Sequence, residues 1–179
     1  KNVVLIGDFN SSLHCRKEGE SDHVGPYTYG RGEQWYDAWE ASKPDHFISN
    51  RTMLMNFLMA EDFKVANTFF AKNDSKKVTF QRVGNTDGGY PYSPDRYAEL
   101  DLCLARQRWM NCIINVEADP YTNVSTDHKM LLVEIRQKLK EVEKVPDKKH
   151  LRELKGLIKH RRRRNSSPIQ RSLAPCFQQ

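Results

Sequence analysis

The chain has 179 residues, a formal charge of +6 and an isoelectric point near 9.1. That length suits one domain with its own core, and the basic balance favours a polyanionic partner. No stretch approaches the roughly 18 consecutive apolar residues of a membrane-spanning helix, so no membrane partner is expected.

Val3-Val4-Leu5-Ile6 is a run of strand formers stopped by Gly7, which predicts a buried strand ending in Gly7-Asp8-Phe9-Asn10. Side chains two apart on a strand point the same way, so Asp8 and Asn10 are expected to face one site. A carboxylate beside an amide suits a water and a phosphate oxygen. The competing reading is a turn, because Asp and Asn both bond their own backbone there. Tyr27 and Tyr29, and later Tyr90 and Tyr92, lie in loops rich in Gly and Pro. They either stack on bases or pack over a sheet edge.

Asn50 or Ser49 can cap a helix in which Met53, Leu54, Phe57 and Leu58 form an apolar stripe. Phe63 to Phe70, Val78 to Val83, Leu100 to Ala105, Ile113 to Val116 and Met130 to Ile135 then read as strands, separated by turn-rich stretches such as 84–89. One helix and six strands predict an α+β or α/β fold, either a sheet with a helical layer or half of a two-sheet sandwich.

Two of those strands carry chemistry. In Glu99-Leu100-Asp101-Leu102-Cys103-Leu104 the three leucines alternate with Asp101, which therefore leaves the opposite face of the strand. A buried carboxylate needs a partner, and an imidazole N–H is a suitable one. Ser125-Thr126-Asp127-His128 precedes the last apolar strand, and histidine is the side chain best placed to exchange a proton near neutral pH. A carboxylate fixing a histidine tautomer, with a second carboxylate beside it, recurs in hydrolytic sites.

From Gln137 onward Lys and Glu dominate, Val145-Pro146 breaks the chain, and a helix is expected over Asp147 to Lys159. His160-Arg161-Arg162-Arg163-Arg164 is a basic block, either a solvated face or a nucleic-acid or nuclear-import element resting on the same electrostatics. Beyond Asn165, Ser, Pro and Gln dominate, and a disordered tail is expected. Cys15, Cys103, Cys112 and Cys176 show no paired spacing, which argues against zinc and for reduced thiols in a cytosolic or nuclear protein.

The order Asp8/Asn10, then Asp101, then Asp127/His128 resembles the C-terminal half of the endonuclease/exonuclease/phosphatase superfamily, which includes deoxyribonuclease I and abasic-site endonucleases. Val65-Ala66-Asn67-Thr68-Phe69-Phe70, Val78-Thr79-Phe80 and Arg106-Gln107-Arg108-Trp109 look more narrowly like the endonuclease domain of non-LTR retrotransposons and their craniofacial-development-protein-like relatives. The resemblance covers residues 1–140. It implies half of a four-layer αββα sandwich of the deoxyribonuclease I kind, followed by a charged helical linker at 141–164 and a tail at 165–179.

The same resemblance implies a metal-dependent phosphodiesterase that nicks DNA. Asp8 would orient or deprotonate water, Asn10 would bond the phosphate, and His128, held by Asp101, would stabilise charge on the phosphoryl oxygens. Asp127 would contribute to a Mg²⁺ or Mn²⁺ site. Partners would be DNA, or RNA through Arg161, Arg162, Arg163 and Arg164, and a downstream reverse transcriptase domain. Departures are Thr79-Phe80 for Thr-Trp, Asp101-Leu102 for Asp-Tyr, and Thr126-Asp127-His128 for Ser-Asp-His. Glu99 stands where a basic or polar residue is usual, and Glu33 to Ser49, with Trp35, Tyr36 and Trp39, reads as an insertion. The family's first half, with an Asn and a Glu that help hold the metal, has no counterpart, so the chain reads as a partial segment expected to be inactive alone. Its absence would also leave an apolar sheet face open opposite the helix. Two further readings stand beside the nuclease: another hydrolase of the superfamily, such as a phosphatase or deadenylase, and a non-catalytic remnant that binds nucleic acid or protein.

Overall fold

A computed structural model describes residues 3–82, 91–121 and 126–137, all within one compact unit that closes at Gln137. The fold is mixed, with three small antiparallel sheets and two α-helices among the described residues. The central sheet has the order β1-β5-β2, built from Val4–Asp8, Asp101–Arg106 and Phe63–Val65. β1 and β5 pair in register from Val4 opposite Ala105 to Asp8 opposite Asp101. β3 (Phe80–Gln81) pairs with β4 (Tyr97–Ala98), and β6 (Ile113–Ala118) with β7 (Leu131–Ile135).

The alternation in β5 decides what covers each face. Leu102 and Leu104 are fully buried and pack with Val65, Phe63, Val24 and Leu13 under α2 (Asn50–Glu61), through its Leu54, Met55 and Leu58. Cys103 and Ala105, on the other face, are equally buried, against Ile113 and Val116 of the β6–β7 hairpin. The face expected to lie open opposite the helix is therefore covered. Apolar exposure falls instead on β1, where Ile6 is 53% exposed, and on Met53 and Phe57 of α2. The expected stripe on α2 is accordingly displaced: Leu54 and Leu58 face the core together with Met55 and Arg51, while Met53 and Phe57 do not.

Ser49 caps α2, accepting the Thr52 N–H at 3.0 Å. The helix ends at Asp62 in the left-handed conformation, its N–H returned to the Leu58 carbonyl. No helix among the described residues is long and apolar enough to cross a membrane.

One expected strand is shorter than its sequence suggested. Phe63 to Phe70 stays extended only to Val65 and then winds into a 3₁₀ turn, Ala66–Phe69. The cause is Asn67, whose buried side chain takes over the ladder. Its Oδ1 accepts from the Cys103 N–H at 2.8 Å and its Nδ2 donates to the Asp101 carbonyl at 3.2 Å, so β5 keeps its bonds without a strand beside it. A helix, α1 (Glu33–Ala41), stands where an insertion was expected.

Gly25 lies where the loop after Val24 crosses this turn. A Cβ there would sit 2.2 Å from the Thr68 carbonyl oxygen, a backbone atom that cannot swing aside. Gly25→Ala is expected to destabilise the fold by about 1–3 kcal/mol or more, the usual cost of overpacking. Chemical denaturation measures it, and an unchanged midpoint would contradict this packing.

Candidate active site

The pairing of β1 with β5 brings Asp8 and Asp101 side by side, 93 positions apart in sequence (101 − 8). The third member arrives on the segment before β7, pinned along β3. The Gln81 N–H donates to the Asp127 carbonyl at 2.8 Å and the Lys129 N–H to the Thr79 carbonyl at 2.7 Å. Between those bonds His128 points its ring at the two carboxylates, with Phe80 against it at a centroid distance of 5.1 Å. The imidazole Nδ1 donates to Asp101 Oδ2 at 2.8 Å, which leaves Nε2 turned toward Asp8, 3.9 Å from its Oδ2.

Burial works against the charged form of His128. The Asp101 hydrogen bond and the charges of Asp101, Asp8 and Asp127 outweigh it and hold the imidazole above the ordinary histidine value. The cation therefore persists to higher pH than that of a free histidine. It stands at a half-open surface, with about a third of the His128 and Asp8 side chains exposed against 17% of Asp101. A cleft of about 210 Å³ opens alongside, bounded by Asn10, Phe80, Arg82 and Tyr97.

The Asp8–Asn10 geometry differs from the expectation of two side chains on one strand face. β1 stops at Asp8, and Asn10 has a φ of 49° in the left-handed region, which asparagine tolerates. The Asn10 N–H donates to Asp8 Oδ1 at 2.7 Å, and the Asn50 side chain at the start of α2 donates to the Asn10 carbonyl at 2.7 Å. Of the two readings of this segment, the turn is the one these bonds describe. Asp127 is exposed, with Oδ1 accepting from the Thr126 hydroxyl at 3.3 Å.

Three residues named in the sequence only as part of a motif or a departure from one turn out to position the site. Thr79 is fully buried and its Oγ1 accepts from both the Leu100 and Asp101 N–H groups at 2.9 Å, fixing the start of β5. Asn67 holds the Asp101 carbonyl, as described. Glu99, which stands where a basic or polar residue is usual, is buried with Oε1 accepting from Asn67 Nδ2 at 3.1 Å. The available signal was a polar residue inside an apolar strand pattern at each position.

No protein-family model matches this chain, and no curated protein matches it. Among the described residues no group of three or more His, Cys, Asp or Glu is arranged to hold a metal ion. Asp127, next to His128 in the chain, offers an exposed carboxylate of the kind a hard cation takes when phosphate and water supply its other oxygens. Tyr29, a candidate for stacking on bases, is corrected: it is 4% exposed, packed with Val78 and Tyr97, and its hydroxyl donates to the Tyr92 carbonyl at 2.7 Å. Tyr27 is 42% exposed. Tyr90, Cys176, the expected helix over Asp147 to Lys159 and the block Arg161, Arg162, Arg163 and Arg164 lie outside the described residues.

Glu99 sets a pH dependence of its own. Burial pushes its carboxyl up to about 7, against the Asn67 hydrogen bond and the charge of Lys77. A carboxyl that holds its proton more tightly when folded favours the native state at low pH. Stability then falls as pH rises from about 4.5 to about 7 and stays lowered above. Glu99→Gln keeps an acceptor for Asn67 and removes the charge, so it is expected to gain on the order of 2–3 kcal/mol at pH 8 and little at pH 4. Denaturation of both proteins across that range measures it, and parallel pH profiles would refute the assignment.

Proposed function

We propose that this chain is the C-terminal portion of a metal-dependent phosphodiesterase of the endonuclease/exonuclease/phosphatase superfamily, and that the parent nicks DNA in the manner of a retrotransposon endonuclease. One observation carries the reading: an imidazole held by Asp101, its second nitrogen turned toward the partly exposed Asp8 carboxylate at 3.9 Å. That arrangement suits a phosphodiester, whose phosphoryl oxygens gain negative charge as water attacks. On this reading the described sheets and α2 are half of the four-layer αββα sandwich, and the basic run and a following reverse transcriptase domain belong to a protein working on nuclear DNA.

Each side chain then has a task. Asp101 orients the ring and stabilises its cationic form, so the imidazolium donates from Nε2 to a phosphoryl oxygen, a service worth a few kcal/mol from one well-placed donor. Asp8 Oδ1 holds the Asn10 turn while Oδ2 faces His128 Nε2 at 3.9 Å, and through Oδ2 it orients and deprotonates the attacking water. Asn10 presents its amide to the phosphate. A Mg²⁺ or Mn²⁺ ion held at Asp127, with further ligands from a preceding segment, would neutralise charge on the phosphoryl oxygens.

Binding without hydrolysis is the second reading. It is favoured by the commitment of Asp8 Oδ1 to the backbone, which halves the carboxylate left for a water. Supercoiled plasmid with Mg²⁺ separates the two. A polypeptide in which this chain follows an Asn- and Glu-bearing segment is expected to open the circles, and the chain alone is expected to leave them closed. A folded longer polypeptide that leaves plasmid, RNA and phosphomonoesters intact with either metal would end the hydrolase reading.

A further inference from the structure

α1 and the turn after it build a recess that the proposed reaction does not use. Its volume is about 300 Å³, at the lower end for small-molecule sites, and its walls include Trp39, Phe47, Tyr36 and His14, with Asn10 and Asn50 on the rim. Asn10 belongs to the turn that Asp8 closes, so the recess and the candidate active site share an edge.

The rings are arranged as a platform. Trp35 stacks on Trp39 at 6.1 Å and 16°, and Phe47 meets Trp39 edge-on at 5.7 Å. Arg31 lies over Trp35 at 4.4 Å and Lys43 over Trp39 at 4.9 Å, so a cation flanks each indole. An ordinary small core would bury such rings. Here only Tyr36 is fully buried, both tryptophans stay partly open, and Phe47 is 43% exposed. Partly exposed rings beside cations are what a sequence-tolerant contact to an unstacked base requires, the base adding to the rings in place of the flexible Lys43 side chain and the cations taking the backbone. His14, which tilts against Trp35 and Tyr36, is held to about 4 by burial and by Arg31, Arg51 and Arg82, and so adds a neutral polar ring rather than a further charge.

We propose that the Trp39–Phe47 recess binds an unpaired nucleobase of a nucleic acid whose neighbouring phosphate lies at Asp8 and His128. The position of that phosphate rests on the phosphodiesterase reading; the stacking does not.

The test is metal-free binding of the full chain to two duplexes labelled with 2-aminopurine, one fully paired and one in which the label is a single unpaired nucleotide. The unpaired label is expected to bind about tenfold more tightly and to lose fluorescence on stacking. Trp39→Leu is expected to lower that affinity about tenfold and to restore the fluorescence. Phe47→Ser, at an exposed position that does not threaten the fold, is expected to act in the same direction and decides the matter if Trp39→Leu fails to fold. Equal affinity for the two duplexes, or affinity and fluorescence unmoved in Phe47→Ser, would overturn the proposal. Base-selective binding by the chain, with a folded longer polypeptide that never nicks, would sink the phosphodiesterase alone, and nicking by that polypeptide without base preference in the chain would sink the recess alone.

Discussion

Replacing Glu20 with alanine is expected to cost about 3–5 kcal/mol of folding stability, the usual effect of stranding one member of a buried ion pair. Arg51, on the inner side of α2, is 5% exposed, and its two terminal nitrogens bind the Glu20 carboxylate at 2.9 and 2.6 Å. Its remaining bonds go to the carbonyls of Leu13 and Cys15, and its guanidinium lies over the Tyr36 ring. One side chain thus fastens the long connection after Asn10 to the helix. Without Glu20 the guanidinium stays buried with carbonyls alone, and Lys17 also loses the carboxylate that accepts its backbone N–H. Urea denaturation with an unchanged slope measures the loss, and a variant within about 1 kcal/mol of the parent would contradict it. The pair itself is no proof of stability: Glu20→Leu combined with Arg51→Met is expected to recover most of what Glu20→Ala loses.

Asp101→Asn is expected to reduce phosphodiester cleavage by the longer polypeptide by about 10³–10⁴-fold, the scale on which a histidine is disabled by loss of the carboxylate that sets its tautomer. The substitution nearly preserves shape, so it separates charge and tautomer from packing. It also removes the principal influence that holds His128 above the ordinary value, so the residual activity is expected to decline at lower pH than in the parent. His128→Ala is expected to cost about as much, and the double variant little more than either, because the two residues act as one unit. A full-rate Asp101→Asn enzyme, or an unmoved alkaline limb, would remove Asp101 from the assigned role.

The parts of this molecule that sequence exposes are those whose information is local. Three leucines alternating with Asp101 announce both the strand and the odd carboxylate within it, and Asp127-His128 beside an apolar run announces a loop at a strand edge. α1 offers no such signal: it has nine residues, begins at Gly32 with no side-chain cap, and is held by rings that meet residues from Arg31 and His14 to Phe47. The shortening of the strand after Val65 is equally hidden, because Asn67 replaces a ladder whose other side lies 34 and 36 positions away. The stripe on α2 failed for a different reason. Arg51 takes a buried position that hydropathy assigns to the surface, and the helix is turned to suit it.

The opposition of Asp8 and Asp101 across β1 and β5 has a consequence for how this protein can change over time. Their separation is that of paired residues in an antiparallel ladder, about 4.5–5.5 Å between Cα atoms, and it is imposed by backbone bonds rather than by the side chains beneath. Leu102, Leu104, Val65 and Leu58 can be exchanged for residues of similar total volume with the spacing of the carboxylates intact. What such a lineage must keep is a few polar anchors, Thr79 and Asn67 among them, while the apolar remainder drifts. A pair of carboxylates placed in this way outlasts the sequence that surrounds it.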